Sequence, residues 1–546
     1  MPALSAFQDR LTGSRYGASL LSGALLGISF PSYPFIRLEL LTWIALVPML
    51  LGLQKETGPG EFFRRTWLAM LLFCIISLWW VSLATLPGGV LTILWQSLCM
   101  VVPLAAFYLI RRKAGYRFAL FSLPFIWVAW EWAYMQQDLS LGWLTLGNSQ
   151  ANLSWMIQYA DVTGVWGVSF WLVCFNVLAV LAITGPRRDS LRAVTLMALM
   201  IAVPLLYSLV IFQRESAVLP KGQPQLRVTL VQPDIDPHEK WGRSSNADMM
   251  ESYRRLTSRA VQQDRPELIL WPETAIPFYI LDAPYADELA SLRLSLRKWD
   301  TPLLTGFSDI VRFPATAQPA SGTPGKYDRM RMQPFETYNA SMLLEPGGSA
   351  PQVYRKMRLV PFAERVPYVE YFPWLGAFNF SLAGISSWGK GQESSVMELR
   401  SSRNGRVVTA NIICYESIFP ALVTEFVRKG AGFLTLVTND GWYGLSYGPY
   451  QHLAIAKLRC IENRRAMARC ANTGLTVFID KFGRVFAEIP WWQEGTLTAE
   501  VPLESRLSCY TRNPDLLPKA ASVISLLIFI VVAFTRKKNF KGKELP

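Results

Sequence analysis

Apolar runs of about 17 to 25 residues, long enough to cross roughly 30 Å of hydrocarbon, recur along the chain. They lie at about 16–31, 38–54, 66–86, 89–110, 118–135, 162–184 and 192–213, with an eighth near 516–534. This pattern predicts a multi-span α-helical membrane protein with eight transmembrane helices. The first run, GASLLSGALLGIS, is rich in small residues and lacks a small-residue cleavage site after a short core, so it reads as a closely packed span and not a removable signal. Between the seventh and eighth runs the pattern changes to short apolar stretches alternating with amphipathic ones. Strands are predicted at Leu226–Gln232, Leu268–Trp271, Pro302–Gly306, Ala340–Leu344, Val407–Cys414, Phe433–Thr438, Thr476–Ile479 and Thr496–Val501. Helices are predicted at 245–263, 284–298, 419–429 and 450–468. Runs that are apolar on successive residues, such as TLVQ and FLTLVT, indicate sheets covered on both faces, hence a layered α/β sandwich. The expected organisation is a membrane domain over 1–214, an outward domain over 215–512, and a last span with a basic tail over 513–546.

The composition narrows the class further. With 51% hydrophobic and 17% charged residues, the chain is neither disordered, nor collagen-like, nor an ordinary soluble enzyme, for which about 25% charged is usual. Its formal net charge of +14 raises the question of polyanion binding. The position of the charges answers it. Connections on one side carry Arg10 and Arg15; Lys55, Arg64 and Arg65; Arg111, Arg112, Lys113 and Arg117; Arg187, Arg188 and Arg192; and Arg536, Lys537, Lys538, Lys541 and Lys543. The short connections on the other side, 32–37, 87–88 and 136–161, carry Arg37 alone. The positive-inside rule then puts both termini in the cytoplasm and the 215–512 domain outside. That domain holds 34 Lys+Arg against 30 Asp+Glu, so the excess records topology and no nucleic-acid partner is expected. Two His and seven Cys argue against a His-rich metal centre and a disulfide framework, although Cys460, Cys470 and Cys509 share a compartment where disulfides can form. They read as structural.

Three polar residues stand at strand ends, where α/β folds place their chemistry: Glu273 in LILWPETAIP, Lys356 in VYRKMRLVPFAERVPY, and Cys414 in VTANIICYES. Singly, each has an ordinary reading as a turn carboxylate, a surface charge or a small buried side chain. Together with VTNDGWYG and a following helix containing RCIENRR, these strings resemble the nitrilase (carbon–nitrogen hydrolase) superfamily and, with seven spans before the domain and one after, its bacterial apolipoprotein N-acyltransferase family. The resemblance implies a periplasmic nitrilase-like αββα sandwich and a Glu273–Lys356–Cys414 triad in a multi-pass protein of the bacterial inner membrane. It also implies a phospholipid acyl donor and a diacylglyceryl apolipoprotein acceptor, used in a ping-pong cycle that completes lipoprotein maturation. A monomer is expected.

The residues themselves support such chemistry. A thiolate is the nucleophile and a free thiol has a pKa of about 8.5, so Cys414 needs a base, Glu273, and Lys356 would neutralise the oxyanion. The thioester can be opened by an α-amino group of pKa about 7.7–8.0 without metal, nucleotide or organic cofactor. The resemblance adds Glu364 and Glu416 as acidic residues that orient the triad, and Tyr415, Trp241 and Asn339 near it. The aromatic, almost uncharged stretch YFPWLGAFNFSLAG, with Trp374 and Phe378, is expected to be a lipid-access loop at the bilayer interface, with a core hairpin as the alternative. Two other functions remain open at this point. One is an amidohydrolase using water as acceptor. The other is a transporter or sensor, against which Glu131 is the main ionisable residue inside a span. A Cys–His protease would have to use His452, which capping or packing explains as well.

Overall fold

The computed structural model describes residues 14–30, 36–55, 58–217, 222–240, 245–315, 326–328, 330–372, 374–375 and 388–535. Among the described residues the strands are β1 (Gln225–Gln232), β2 (Leu268–Leu270), β3 (Leu303–Arg312), β4 (Lys326–Asp328), β5 (Gln333–Leu344), β6 (Gln352–Arg355), β7 (Met397–Ser401), β8 (Gly405–Ile413), β9 (Phe433–Thr438), β10 (Met467–Ala471), β11 (Thr476–Ile479), β12 (Val485–Ile489) and β13 (Gly495–Pro502). They form two sheets. One has the order β13-β1-β2-β3-β5-β4 with β6 also paired to β5, and the other β12-β11-β10-β9-β8-β7. Each has a parallel centre, β1-β2-β3 and β8-β9-β10, flanked by antiparallel strands.

The alternation of side chains along the strands explains the layering. Ile269 and Leu303 pack with Tyr253, Leu256, Leu292 and Leu296 of helices Asn246–Asp264 and Ala286–Trp299, whereas Leu268, Leu270 and Leu304 join the core shared with the second sheet. Cys470 touches the carbonyls of Val231 and Leu270 across the sandwich, each at 3.4 Å. Helices Pro420–Arg428 and Gly448–Asn463 cover the other face, giving an αββα sandwich. The last helix is shorter than the 450–468 expected. It stops at Asn463 because Arg464 turns left-handed (φ +50°), and Met467 opens β10. All seven cysteines are free.

Among the described residues, Leu86–Ala114, Ala160–Thr184, Arg187–Arg214 and Leu516–Phe534 are long and apolar enough to cross a membrane, and Gly17–Ser29 is a shorter apolar helix. Pro59–Leu78 and Tyr116–Tyr134 are helical as well. Gly23 lies so close to the helix Pro59–Leu78 that a Cβ would meet the Ala69 carbonyl oxygen at 2.3 Å. That contact realises the close packing expected from small residues. The 38–54 run is not one helix. It is a 3₁₀ turn (Glu39–Trp43) and an α-helix (Val47–Gly52), and the side chains of Asn176 and Ser22 bind the backbone N–H groups of Leu46 and Met49 at 2.8 and 2.9 Å. Those bonds satisfy donors that an unbroken helix would have used internally. The 136–161 connection is also more than a loop: residues 142–151 are buried, as two 3₁₀ turns against the α/β domain.

Candidate functional site

Strand register brings the candidate residues together. In β3 and β5, Ser308 faces Asn339, and Ala340 faces Arg355 at the end of β6, so the next residue, Lys356, donates its N–H to the Asn339 carbonyl at 2.9 Å. Glu273 follows β2, where Trp271 continues the ladder to Leu304 and Pro272 starts a turn. Thr274 in that turn has φ +46°, an uncommon conformation for a β-branched residue. The turn fits because Gly306 is beneath it, where a Cβ would meet the Thr274 nitrogen at 2.5 Å and the Glu273 Cα at 2.8 Å.

Lys356 is fully buried and donates from Nζ to Oε1 of Glu273 at 3.1 Å and to Oε1 of Glu364 at 2.9 Å. Asn339 Nδ2 donates to the same two oxygens at 2.8 and 3.1 Å. The other Glu364 oxygen accepts the Val360 N–H at 2.8 Å, closing the loop that carries it. Burial would lower the Lys356 pKa, but the charges of Glu273 and Glu364 more than reverse that and hold it well above the ordinary lysine value.

Cys414 follows β8 at the start of a 3₁₀ turn, Cys414–Ile418, with φ +49°. Burial pushes its thiol pKa up, Glu273 pushes it further, and Lys356 pulls it back. At rest the sulfur is therefore a thiol, and it needs a neighbouring base to become a nucleophile. Glu416 lies under the turn and outside the cavity. Its carboxylate accepts from Tyr354 Oη at 2.6 Å and from the N–H groups of Met357 at 2.7 Å and Ile413 at 2.9 Å. It thereby ties the lysine loop to the cysteine turn. Burial raises its pKa to about 6 against the hydrogen bonds that lower it.

Glu273, Asn339, Lys356, Glu364 and Cys414 line one cavity of about 1240 Å³, its open mouth included. The lining also includes apolar side chains of the N-terminal helical region, Val81, Ala84, Leu91 and Trp95, and of the connection after Tyr116–Tyr134, Leu139 and Leu141. Trp442 and Tyr443, from the VTNDGWYG string, line it too. Tyr415 does not: its hydroxyl turns away to donate to the Ser140 carbonyl at 2.7 Å. Trp374 is exposed and does not line the cavity, whereas Trp241 and Phe378 lie outside the described residues.

One neighbour, Lys240, escaped the sequence reading, and another, His452, was read there as a capping or packing residue. Lys240, beside Trp241, is buried and donates from Nζ to the Glu273 carbonyl at 3.2 Å and to Thr274 Oγ1 at 2.9 Å. Burial lowers its pKa to about 7, against the pull of Glu273. His452 binds the Cys414 carbonyl from Nε2 at 3.1 Å. Its place at the start of a helix after the VTNDGWYG string was the available clue. Among the described residues no group of His, Cys, Asp and Glu could hold a metal ion.

Comparison with known proteins covers both halves of the chain. A family profile described as Carbon-nitrogen hydrolase matches residues 227–509, and one described as Apolipoprotein N-acyltransferase N-terminal domain matches residues 22–178. The apolipoprotein N-acyltransferase of Chlorobaculum tepidum is 56% identical, covering 97% of this chain and 98% of that protein. That of Geobacter metallireducens is 32% identical, covering 97% of each. A crystal structure of an amidase from Nesterenkonia sp. aligns at 16% identity with a TM-score of 0.36, over 55% of this chain and 96% of the amidase.

Proposed function

Since the chain belongs to the apolipoprotein N-acyltransferase family of carbon–nitrogen hydrolases, we propose that it moves a fatty acyl chain from a phospholipid to the α-amino group of an apolipoprotein's N-terminal diacylglyceryl-cysteine. Cys414 Sγ attacks the ester carbonyl while Glu273 takes the thiol proton. Lys356 faces the oxyanion; a fixed charge in a site closed to water lowers such a barrier by several kcal/mol. The C–O bond breaks, Glu273 returns the proton to the departing lysophospholipid oxygen, and a thioester remains on Cys414. The acceptor amine then attacks that thioester with Glu273 as base, and the thiol is restored. Glu364 and Asn339 keep Lys356 and Glu273 in place, and Glu416 holds the two loops together.

The observation that carries this reading is the cavity itself, whose lining combines a charged thiol site with apolar side chains of the N-terminal helical region. A water-soluble amide needs no such lining. The same reading takes 1–214 as seven spans, 215–512 as a periplasmic catalytic domain, and 513–546 as an eighth span and cytoplasmic tail, in a monomer of the inner membrane. It takes Trp241 as a residue beside the triad, and Trp374 and Phe378 as part of a lipid-access loop.

The test is intact mass spectrometry after incubation with phosphatidylethanolamine vesicles. A fatty acyl mass should appear on the wild type and on Cys460→Ala, and be absent from Cys414→Ala. Free fatty acid formed at the same rate with and without a diacylglyceryl-cysteine peptide would show a hydrolase instead. Modification of that peptide by Cys414→Ala would overturn the mechanism.

A further inference from the structure

We infer that His452 is a positioning residue: as a neutral imidazole donating from Nε2, it fixes the peptide plane between Cys414 and Tyr415 so that the Tyr415 N–H serves the oxyanion site. This rests on Cys414 being the nucleophile. His452 is buried at the start of helix Gly448–Asn463. At Nδ1 the nearer of two partners is a donor, with Asp440 Oδ1 farther off at 3.4 Å. Nδ1 is 3.0 Å from Arg469 Nη2, which can only donate, so Nδ1 accepts. Nε2 is 3.1 Å from the Cys414 carbonyl, which can only accept, and 2.8 Å from Ser417 Oγ. The proton therefore sits on Nε2.

Ser417 Oγ donates to the same Cys414 carbonyl at 2.9 Å, so its free lone pair takes the second share of the imidazole proton. Two donors thus grip one carbonyl oxygen. Asp440 stands behind, 3.4 Å from Nδ1, and is itself held by Arg469 through two bonds of 3.0 Å. Arg469 fixes the tautomer, and its cation opposes a second proton on the ring. Burial acts the same way and outweighs Asp440, so the His452 pKa lies below its ordinary value.

The consequence follows from peptide geometry. In a trans peptide the C=O and the following N–H point in opposite directions in one plane. Anchoring the Cys414 oxygen away from the cavity turns the Tyr415 N–H towards it. That N–H lies in the first turn of a 3₁₀ helix, where no carbonyl within the helix can take it. Cys414 is in the left-handed region (φ +49°), which a side chain adopts only when its surroundings hold it there.

The experiment compares two reactions of Cys414 in the full-length protein in detergent. Alkylation by iodoacetamide, mapped to the Cys414 peptide, needs the thiol but no oxyanion site. Acylation by p-nitrophenyl butyrate, read as the burst of nitrophenolate, needs both, and neither reagent depends on phospholipid being the natural donor. In His452→Ala, alkylation should stay within about 3-fold of wild type while acylation falls on the order of 10- to 100-fold. His452→Gln, whose amide nitrogen can stand in for Nε2, should recover most of the acylation. Equal losses in both reactions, unchanged acylation in His452→Ala, or no recovery in His452→Gln would each overturn the inference. A wild type that forms this acyl-enzyme yet takes no acyl group from phospholipid would instead count against the proposed donor.

Discussion

Lys356 lies 2.9 Å from Glu364 and 3.1 Å from Glu273. One ammonium bridges a buried carboxylate and a partly exposed one, and at Cys414 its charge opposes theirs. Burial is the larger reason that the thiol pKa is raised, with Glu273 adding to it and Lys356 opposing it. Lys356→Met should raise the thiol pKa further, shifting the pH midpoint of Cys414 alkylation to higher pH and slowing alkylation about 10-fold per unit at fixed pH. Its acylation rate should fall on the order of 100-fold or more. An alkylation midpoint that moves to lower pH would contradict this charge balance.

Gly306→Ala tests the seat of Glu273. The added Cβ would stand 2.5–2.8 Å from the Thr274 nitrogen, the Pro272 oxygen and the Glu273 Cα. Backbone on three sides cannot swing aside as a side chain can. We expect a stability loss of about 1–3 kcal/mol and a larger proportional loss of acylation, because the base itself is displaced. Thermal unfolding and burst kinetics on the same preparation separate the two.

Asp440 and Arg469 form a buried, two-point ion pair. Burial pushes the Asp440 pKa up, but Arg469 overcomes it and holds the carboxyl below its usual range. A depressed carboxyl pKa contributes stability above the unfolded value, about 3.9, that is lost as pH falls below it. Asp440→Asn leaves Arg469 buried without a counter-charge, and should cost about 3–5 kcal/mol near neutral pH. The penalty should shrink on acidification. A penalty independent of pH would reject the assignment.

Lys240 gives a slope of the same sign at higher pH. Its folded pKa is about 7, below the unfolded value of about 10.4, so between these pH values the unfolded chain holds more protons and stability rises with pH. In Lys240→Met that component is absent. Unfolding of wild type and variant from pH 7 to pH 9 should therefore show the smaller rise in the variant.

The aromatic loop is tested by replacing Trp374 and Phe378 with Ser together. Trp374 is two-thirds exposed, so folding should be little affected, while acylation from phospholipid vesicles should drop several-fold and acylation by p-nitrophenyl butyrate should not. Equal rates on vesicles would remove the loop from lipid access.

Much of this architecture was legible in the chain, and the parts that were not share a cause. Glu273, Lys356 and Cys414 stand in strings whose spacing reflects local geometry: a strand, its end, and the functional residue. His452, Asp440, Arg469 and Lys240 act through contacts with distant segments. Asp440 stands in the VTNDGWYG string and His452 at a helix start after it, but no local pattern marks the contacts these residues make. The 38–54 run reads as a continuous span because its side chains are apolar, yet Asn176, far along the chain, competes for its backbone. Likewise the 136–161 connection looks like a simple loop, whereas Trp143 in it donates to Gln451 Oε1 at 2.7 Å and packs its ring 5.5 Å from that of His452. Periodicity reports which face is greasy, and it cannot report which polar group will satisfy a broken helix.

The apolar wall of the cavity bears on the fate of an acyl-enzyme as well as on its formation. The proposed thioester on Cys414 would be a branch point, with water on one arm and an amine on the other. The triad treats both arms alike, since either nucleophile needs only Glu273 to take a proton. With Leu91, Trp95, Leu139 and Leu141 lining the same cavity, an acyl tail held there by the proposed reaction would fill the space through which bulk water arrives, while an acceptor carrying its own lipid chains would enter along those side chains. Commitment to transfer over hydrolysis then becomes a matter of kinetic partitioning, set by side chains that take no part in bond making.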